Sequence, residues 1–97
     1  MNLITHMTEI HNKEHFAVEF LFPDGHMVPG ALQITGMRSF TKAFDCAASG
    51  NWTVADWVLN RFKTLYPEFI CNVLFDDGKQ ASGKTKLSDV RASYEEA

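Results

Sequence analysis

Asn51-Trp52-Thr53-Val54-Ala55-Asp56-Trp57-Val58-Leu59-Asn60-Arg61-Phe62-Lys63-Thr64-Leu65-Tyr66-Pro67-Glu68-Phe69-Ile70-Cys71-Asn72-Val73-Leu74-Phe75-Asp76-Asp77 decides the fold class, because it sets a well-specified amphipathic helix directly before the most apolar strand of the chain. Thr53 reads as an N-cap, Asp56 three residues later closes a variant capping box, and Trp52 and Trp57 occupy the staple positions. Val54, Val58, Phe62 and Leu65 then recur at helical spacing, with Ala55, Leu59 and Tyr66 widening the stripe, until Tyr66-Pro67 stops the helix. Phe69 to Phe75 is nearly continuous in apolar and β-favouring residues. It closes on the turn signal Asp76-Asp77-Gly78, the pattern of a buried central strand.

Working outward, residues 3–10 alternate imperfectly and residues 15–22 set Phe16, Val18, Phe20 and Phe22 on one face, so two strands are expected. His11-Asn12-Lys13-Glu14 would be their hairpin loop, pairing His6 with Glu19. Pro23-Asp24-Gly25 is a turn into a third strand, which Pro29-Gly30 interrupts before Ala31 to Thr35. Gly36 to Ser49 reads as a second helix with Met37, Phe40, Ala43, Phe44, Ala47 and Ala48 in one stripe and Gly50 at C′. Residues 76–86 read as an exposed loop. A short last helix follows, with Ser88 as N-cap and Leu87, Val90 and Tyr94 as anchors. No internal repeat stands out. The expectation is a single α+β domain over residues 1–97, with a mainly antiparallel sheet of about four strands, two helices packed on one face and a short C-terminal helix.

The chain has 97 residues, is 45% hydrophobic and 22% charged, and carries a net charge of −3, an ordinary composition for one packed domain. It holds no apolar run of membrane-spanning length and no basic, apolar leader, so a cytoplasmic protein is expected. In residues 1–35 the four acids Glu9, Glu14, Glu19 and Asp24 face Lys13 alone, a local charge of −3. No basic footprint exists, which argues against direct nucleic-acid binding; the acids read as a solvated rim, with an acidic face towards a basic partner as the alternative. Cys46 and Cys71 are expected as free thiols.

Gly78-Lys79-Gln80-Ala81-Ser82-Gly83-Lys84-Thr85 matches the phosphate-loop pattern literally, and it follows a strand as that motif should. Only 12 residues remain after Thr85, and the preceding elements read as antiparallel, so an exposed loop is expected in place of a nucleotide site. His6, His11, His15 and His26 do not converge on one strand face, and no His or acid is spaced to activate Cys46. No cofactor, metal or enzymatic activity is expected. Trp57 and Arg61 lie at the edge of the apolar stripe, where a Trp beside an Arg makes an interface anchor. The alternative is Trp57 stapled onto Trp52 with Arg61 over the indole.

From its opening Met1-Asn2-Leu3-Ile4-Thr5-His6-Met7 to its closing Ser88-Asp89-Val90-Arg91-Ala92-Ser93-Tyr94-Glu95-Glu96-Ala97, and in length, the chain resembles the small phage or prophage-encoded anti-CRISPR proteins that inhibit type I-F surveillance complexes. The resemblance implies a protein that binds that complex in the host bacterial cytoplasm, and, as in some members, presents carboxylates where target DNA should lie. The site residues expected on that basis are Glu9, Glu14, Glu19, Asp24, Asp76 and Asp77, with Trp57 and Arg61 beside them, and the partner is the basic DNA-binding groove of the complex. The competing expectation is a non-enzymatic phage or bacterial interaction module that uses the Trp57 and Arg61 edge on a different protein.

Overall fold

The computed structural model describes residues 2–33 and 40–95. Its elements run α1 (Leu3–Glu14), β1 (Ala17–Leu21), α2 (Phe40–Ala43), α3 (Val54–Trp57), a π-helical turn (Val58–Phe62), α4 (Lys63–Leu65), β2 (Ile70–Leu74) and α5 (Leu87–Glu95). The fold is a small α+β domain around an antiparallel pair, with Ala17 opposite Leu74, Glu19 opposite Asn72 and Leu21 opposite Ile70.

The first expected strand is a helix. Leu3, Ile4, Met7 and Ile10 satisfy a helical period as well as an imperfect alternation. Capping decides between the two, because the Asn2 side chain accepts from Thr5 N–H and the opposite end closes on His15, held in the left-handed region at φ 67°. Lys13 in the last turn complements the helix dipole favourably. The expected hairpin loop is therefore the end of α1, and the partner of Glu19 is Asn72, not His6.

β2 is not a central strand of four. Among the described residues the sheet has two strands, extended on each flank by a single bridge, Leu21 with Met27 and Leu74 with Gln80. Both flanks are made by similar hairpins. Gly25 N–H donates to Phe22 O and Gly78 N–H to Phe75 O, with Gly25 at φ 93° and Gly78 at φ 88°, a conformation glycine adopts without steric cost. Of the expected strand at Ala31 to Thr35 only a bridge from Gln33 to Asn2 is described, and residues 34 and 35 lie outside the described residues.

The expected helix from Gly36 to Ser49 ends at Ala43, and its residues 36–39 lie outside the described range. Beyond Ala43 the chain is held by side chains from other elements. The backbone of Cys46 and Ala48 is engaged by charged side chains: Ala48 N–H donates to Glu14 Oε1, Arg61 donates to Cys46 O, and Arg91 donates to Ala48 O. In a helix running to Ser49 the Ala48 N–H would donate to Phe44 O, and it is given to Glu14 instead.

The helix from 54 to 65 is capped as its sequence indicates, with Asp56 N–H on Thr53 Oγ1 and Thr53 N–H on Asp56 Oδ2. Its buried face differs from the expected stripe because of the π turn. Trp57 and Phe62, five residues apart, are brought to one side with ring centroids at 6.2 Å, while Leu59 is left 70% exposed. Around them Phe16 meets Trp57 at 5.1 Å, and Phe20 meets Phe62 at 4.9 Å and Tyr66 at 5.0 Å, forming an aromatic core between the helices and one face of the sheet. Each such ring contributes roughly 1.5–3 kcal/mol on burial.

Two helix starts are held together. Val54 and Ala55 N–H donate to Thr85 and Gly83 O, while Leu87 and Ser88 N–H donate to Trp52 and Gly50 O. Each helix thus has its first free amides satisfied by carbonyls of the strand of chain that leads into the other. α5 begins one residue before Ser88, so the backbone takes the capping role expected of that side chain. Its anchors are secure: Leu87 and Val90 are buried, and the Tyr94 hydroxyl accepts from Ala17 N–H and donates to Leu74 O.

Candidate functional site

The six carboxylates of the expected acidic face do not form one cluster. Glu14 is fully buried at the end of α1. Its Oε2 accepts from Arg61 at 2.6 Å and its Oε1 from Arg91 at 2.9 Å and from Ala48 N–H at 2.9 Å, while Arg91 Nε returns to Glu14 O at 2.7 Å. This node ties α1, the 45–48 segment, the π turn and α5 together, and it removes Glu14 from any contact surface.

Trp57 and Arg61 leave the surface as well. Trp57 has no exposed area, and Arg61 is bound to Glu14 with its guanidinium 4.5 Å from the Phe44 ring centroid and 5.8 Å from that of Trp52. Of the stapled alternative, the cation over an indole is present, with Arg61 over Trp52, while Trp57 packs on Phe16, Phe40 and Phe62. Trp57 shares the buried face of Val54, and the π turn after it, which no periodicity count anticipates, brings Phe62 to the same side.

The remaining acids sit on the surface. Asp24 and the Asp76-Asp77 pair occupy the tips of the two hairpins, all exposed. Because β1 and β2 run antiparallel, these tips lie at opposite ends of the sheet, roughly 20–25 Å apart by strand rise. Glu19 lies midway along β1, half-buried, where its Oε1 accepts from Asn72 Nδ2 at 2.7 Å. Glu9 is half-buried on α1, with Oε1 3.5 Å from Thr41 N. Asp24 accepts the His26 backbone N–H and contacts the His26 ring at 2.9 Å, and these hydrogen bonds hold its carboxyl below the usual range.

The phosphate-loop match carries a different job. Gly83 and Thr85 direct their carbonyls at the start of α3, and the first amides of α5 are bonded to Trp52 and Gly50. Those amides, which a phosphate would need, already have acceptors. The loop is exposed as expected, yet it is part of a capping clasp and not a slack connection.

The histidines separate. His6 is buried with Nδ1 2.8 Å from the Tyr66 hydroxyl, His11 meets the edge of Tyr94, and His26 stands in the turn with Asp24. Among the described residues no group of three His, Cys, Asp or Glu side chains converges for a metal. Burial holds the His6 imidazolium in disfavour and pushes the Tyr66 hydroxyl far above its ordinary range. Cys46 is exposed and Cys71 is free, its thiol pushed up to about 12 by burial.

No protein family, curated protein or solved structure matches this chain. The surface chemistry of the site therefore rests on the residues themselves. Among the described residues no helix is long and apolar enough to cross a membrane. What sequence reasoning missed is the Glu14–Arg61–Arg91 node. Its signal lies in Arg61 beside the helical stripe and Arg91 one residue after Val90, two arginines at the margins of apolar faces, where a buried acid is needed between them.

Proposed function

We propose that this protein is a non-enzymatic anti-CRISPR inhibitor that binds the type I-F surveillance complex and occupies the basic groove meant for target DNA. The resemblance of the whole chain supports the partner. The observation that carries the mode of binding is the placement of Asp24 and Asp76-Asp77 at the two tips of the sheet, with Glu19 between them. A span of roughly 20–25 Å is about two-thirds of a turn of duplex DNA, whose phosphates supply one charge per 1.7 Å or so along the axis. A few carboxylates on that span engage lysines and arginines that would otherwise hold phosphates, and each exposed pair contributes only about 0–1 kcal/mol.

The experiment is competition. Saturating inhibitor is expected to displace target duplex from the complex, and the triple variant Asp24→Lys, Asp76→Lys, Asp77→Lys is expected to stay folded and lose that effect. Unchanged DNA binding in the presence of saturating parent protein would reject the DNA-mimic mode. Absence of any binding to the complex would reject the partner itself.

A further inference from the structure

Two stretches of the molecule share a run of backbone contacts. Against the expectation of no internal repeat, segments 16–33 and 69–86 align without a gap at a constant separation of 53 residues, and share Phe16/Phe69, Leu21/Leu74, Phe22/Phe75, Asp24/Asp77, Gly25/Gly78 and Gly30/Gly83. Backbone bonds follow the same correspondence. Phe22 N–H to His26 O is matched by Phe75 N–H to Lys79 O, and Val28 N–H to Phe20 O by Ala81 N–H to Val73 O. Leu3 and Ile4 N–H reach Leu32 and Gly30 O, as Val54 and Ala55 N–H reach Thr85 and Gly83 O. Asn2 bridges Gln33 as Thr53 bridges Lys86. Even the close approaches agree: a Cβ on Gly30 would meet Ile4 at 2.9 Å, and one on Gly83 would meet Ala55 at 3.4 Å.

The helices match through their buried faces. α1 buries Leu3, His6, Ile10 and Glu14, and the second helix with its following residue buries Val54, Trp57, Phe62 and Tyr66. The spacings are three, four, four against three, five, four, and the five is the π turn, as expected where one residue has been inserted into a regular helix. The side-chain atoms of His6 and Trp57 that are buried without a partner among the described residues, Nε2 and Nε1, belong to corresponding positions.

We infer that the chain is two copies of one helix–hairpin unit, residues 2–33 and 53–86, joined through a self-complementary interface. The ladder register shows the operation that relates them. Ala17 pairs with Leu74, and their counterparts Ile70 and Leu21 also pair; Val18 pairs with Val73, and their counterparts Cys71 and Phe20 also pair. Glu19 and Asn72 are counterparts of each other and face each other, so the axis is a local two-fold passing between them. That is the geometry of an isologous dimer interface, in which the partner fitted by the β1 edge is a second copy of the same unit. Two copies on one chain produce a sheet whose two hairpin tips are equivalent positions.

Two full-length variants test this. In the first, segments 26–33 and 79–86 exchange places; if they are equivalent, the chain still unfolds in one cooperative transition, with Tm lowered by no more than about 10 °C. In the second, deletion of Leu59 removes the inserted residue, and the helix is expected to become regular with Tm within about 5 °C of the parent, whereas deletion of Thr8 from α1 rotates half its buried face away from the core and abolishes the transition. Loss of cooperative unfolding in the exchanged chain, or a Leu59 deletion as damaging as that of Thr8, would overturn the duplication.

Discussion

Glu14 is the residue on which most backbone depends, because a single carboxylate holds two guanidiniums and one amide from three separate segments. Replacing it removes the anion and leaves Arg61 and Arg91, whose side chains are only 13% and 16% exposed, without their counter-charge. Glu14→Gln is therefore expected to lower unfolding free energy by about 3–5 kcal/mol in urea titration. The two cysteines divide by environment. Ellman titration of the native protein at pH 8 is expected to find one reactive thiol, Cys46, because the Cys71 thiol is pushed up to about 12, and the second only after denaturation. His6 makes stability depend on pH. Its folded pKa lies below 6.5 while the unfolded chain keeps the ordinary value, so as pH falls below about 6.5 the unfolded state takes up the proton first and stability drops. Tm at pH 5.5 is expected below Tm at pH 7.5, and the difference should shrink in a His6→Phe, Tyr66→Phe variant.

At the scale of elements, the helix from Thr53 and the strand that follows it were legible because their signals are local: a cap, a period, a proline and a turn. Thr53→Ala is expected to cost about 1 kcal/mol by the loss of that cap. Lys84→Ala, by contrast, should leave Tm unchanged, and calorimetric titration of the parent with ATP should show no heat of binding, since the neighbouring carbonyls of Gly83 and Thr85 already serve α3. The α1 segment was misread because Leu3, Ile4, Met7 and Ile10 fit two periods, and what separates them is one asparagine before the run. The early end of α2 was not legible at all. The segment beyond it is held by Arg61 and Arg91, which reach Cys46 and Ala48 from 15 and 43 residues away, and no window along the chain contains such a bond.

For the molecule as a whole, the α+β class was readable and the distribution of acids only partly so. Strand direction sends Asp24 and Asp77 to opposite ends, a result that sequence order alone conceals. If these tips contact a basic groove, binding should weaken steeply as salt rises from low to physiological levels, over which the screening length falls to about 8–10 Å, and single reversals at Asp24 or Asp77 should matter far less than the triple change.

The Tyr94 hydroxyl, standing between Ala17 N–H and Leu74 O, also has a bearing on how the chain is made. Ribosomal synthesis delivers α1 and β1 first, and Phe16 and Phe20 must wait for Trp57, Phe62 and Tyr66 before any ring covers them. The ladder waits longer, for residues 70–74, and the tyrosine that closes its end comes 77 positions after the amide it meets. Contacts so remote in sequence slow the search and leave sticky strand edges bare in the nascent chain. A ribosome stalled near the middle of this message would therefore hold an adhesive half-protein.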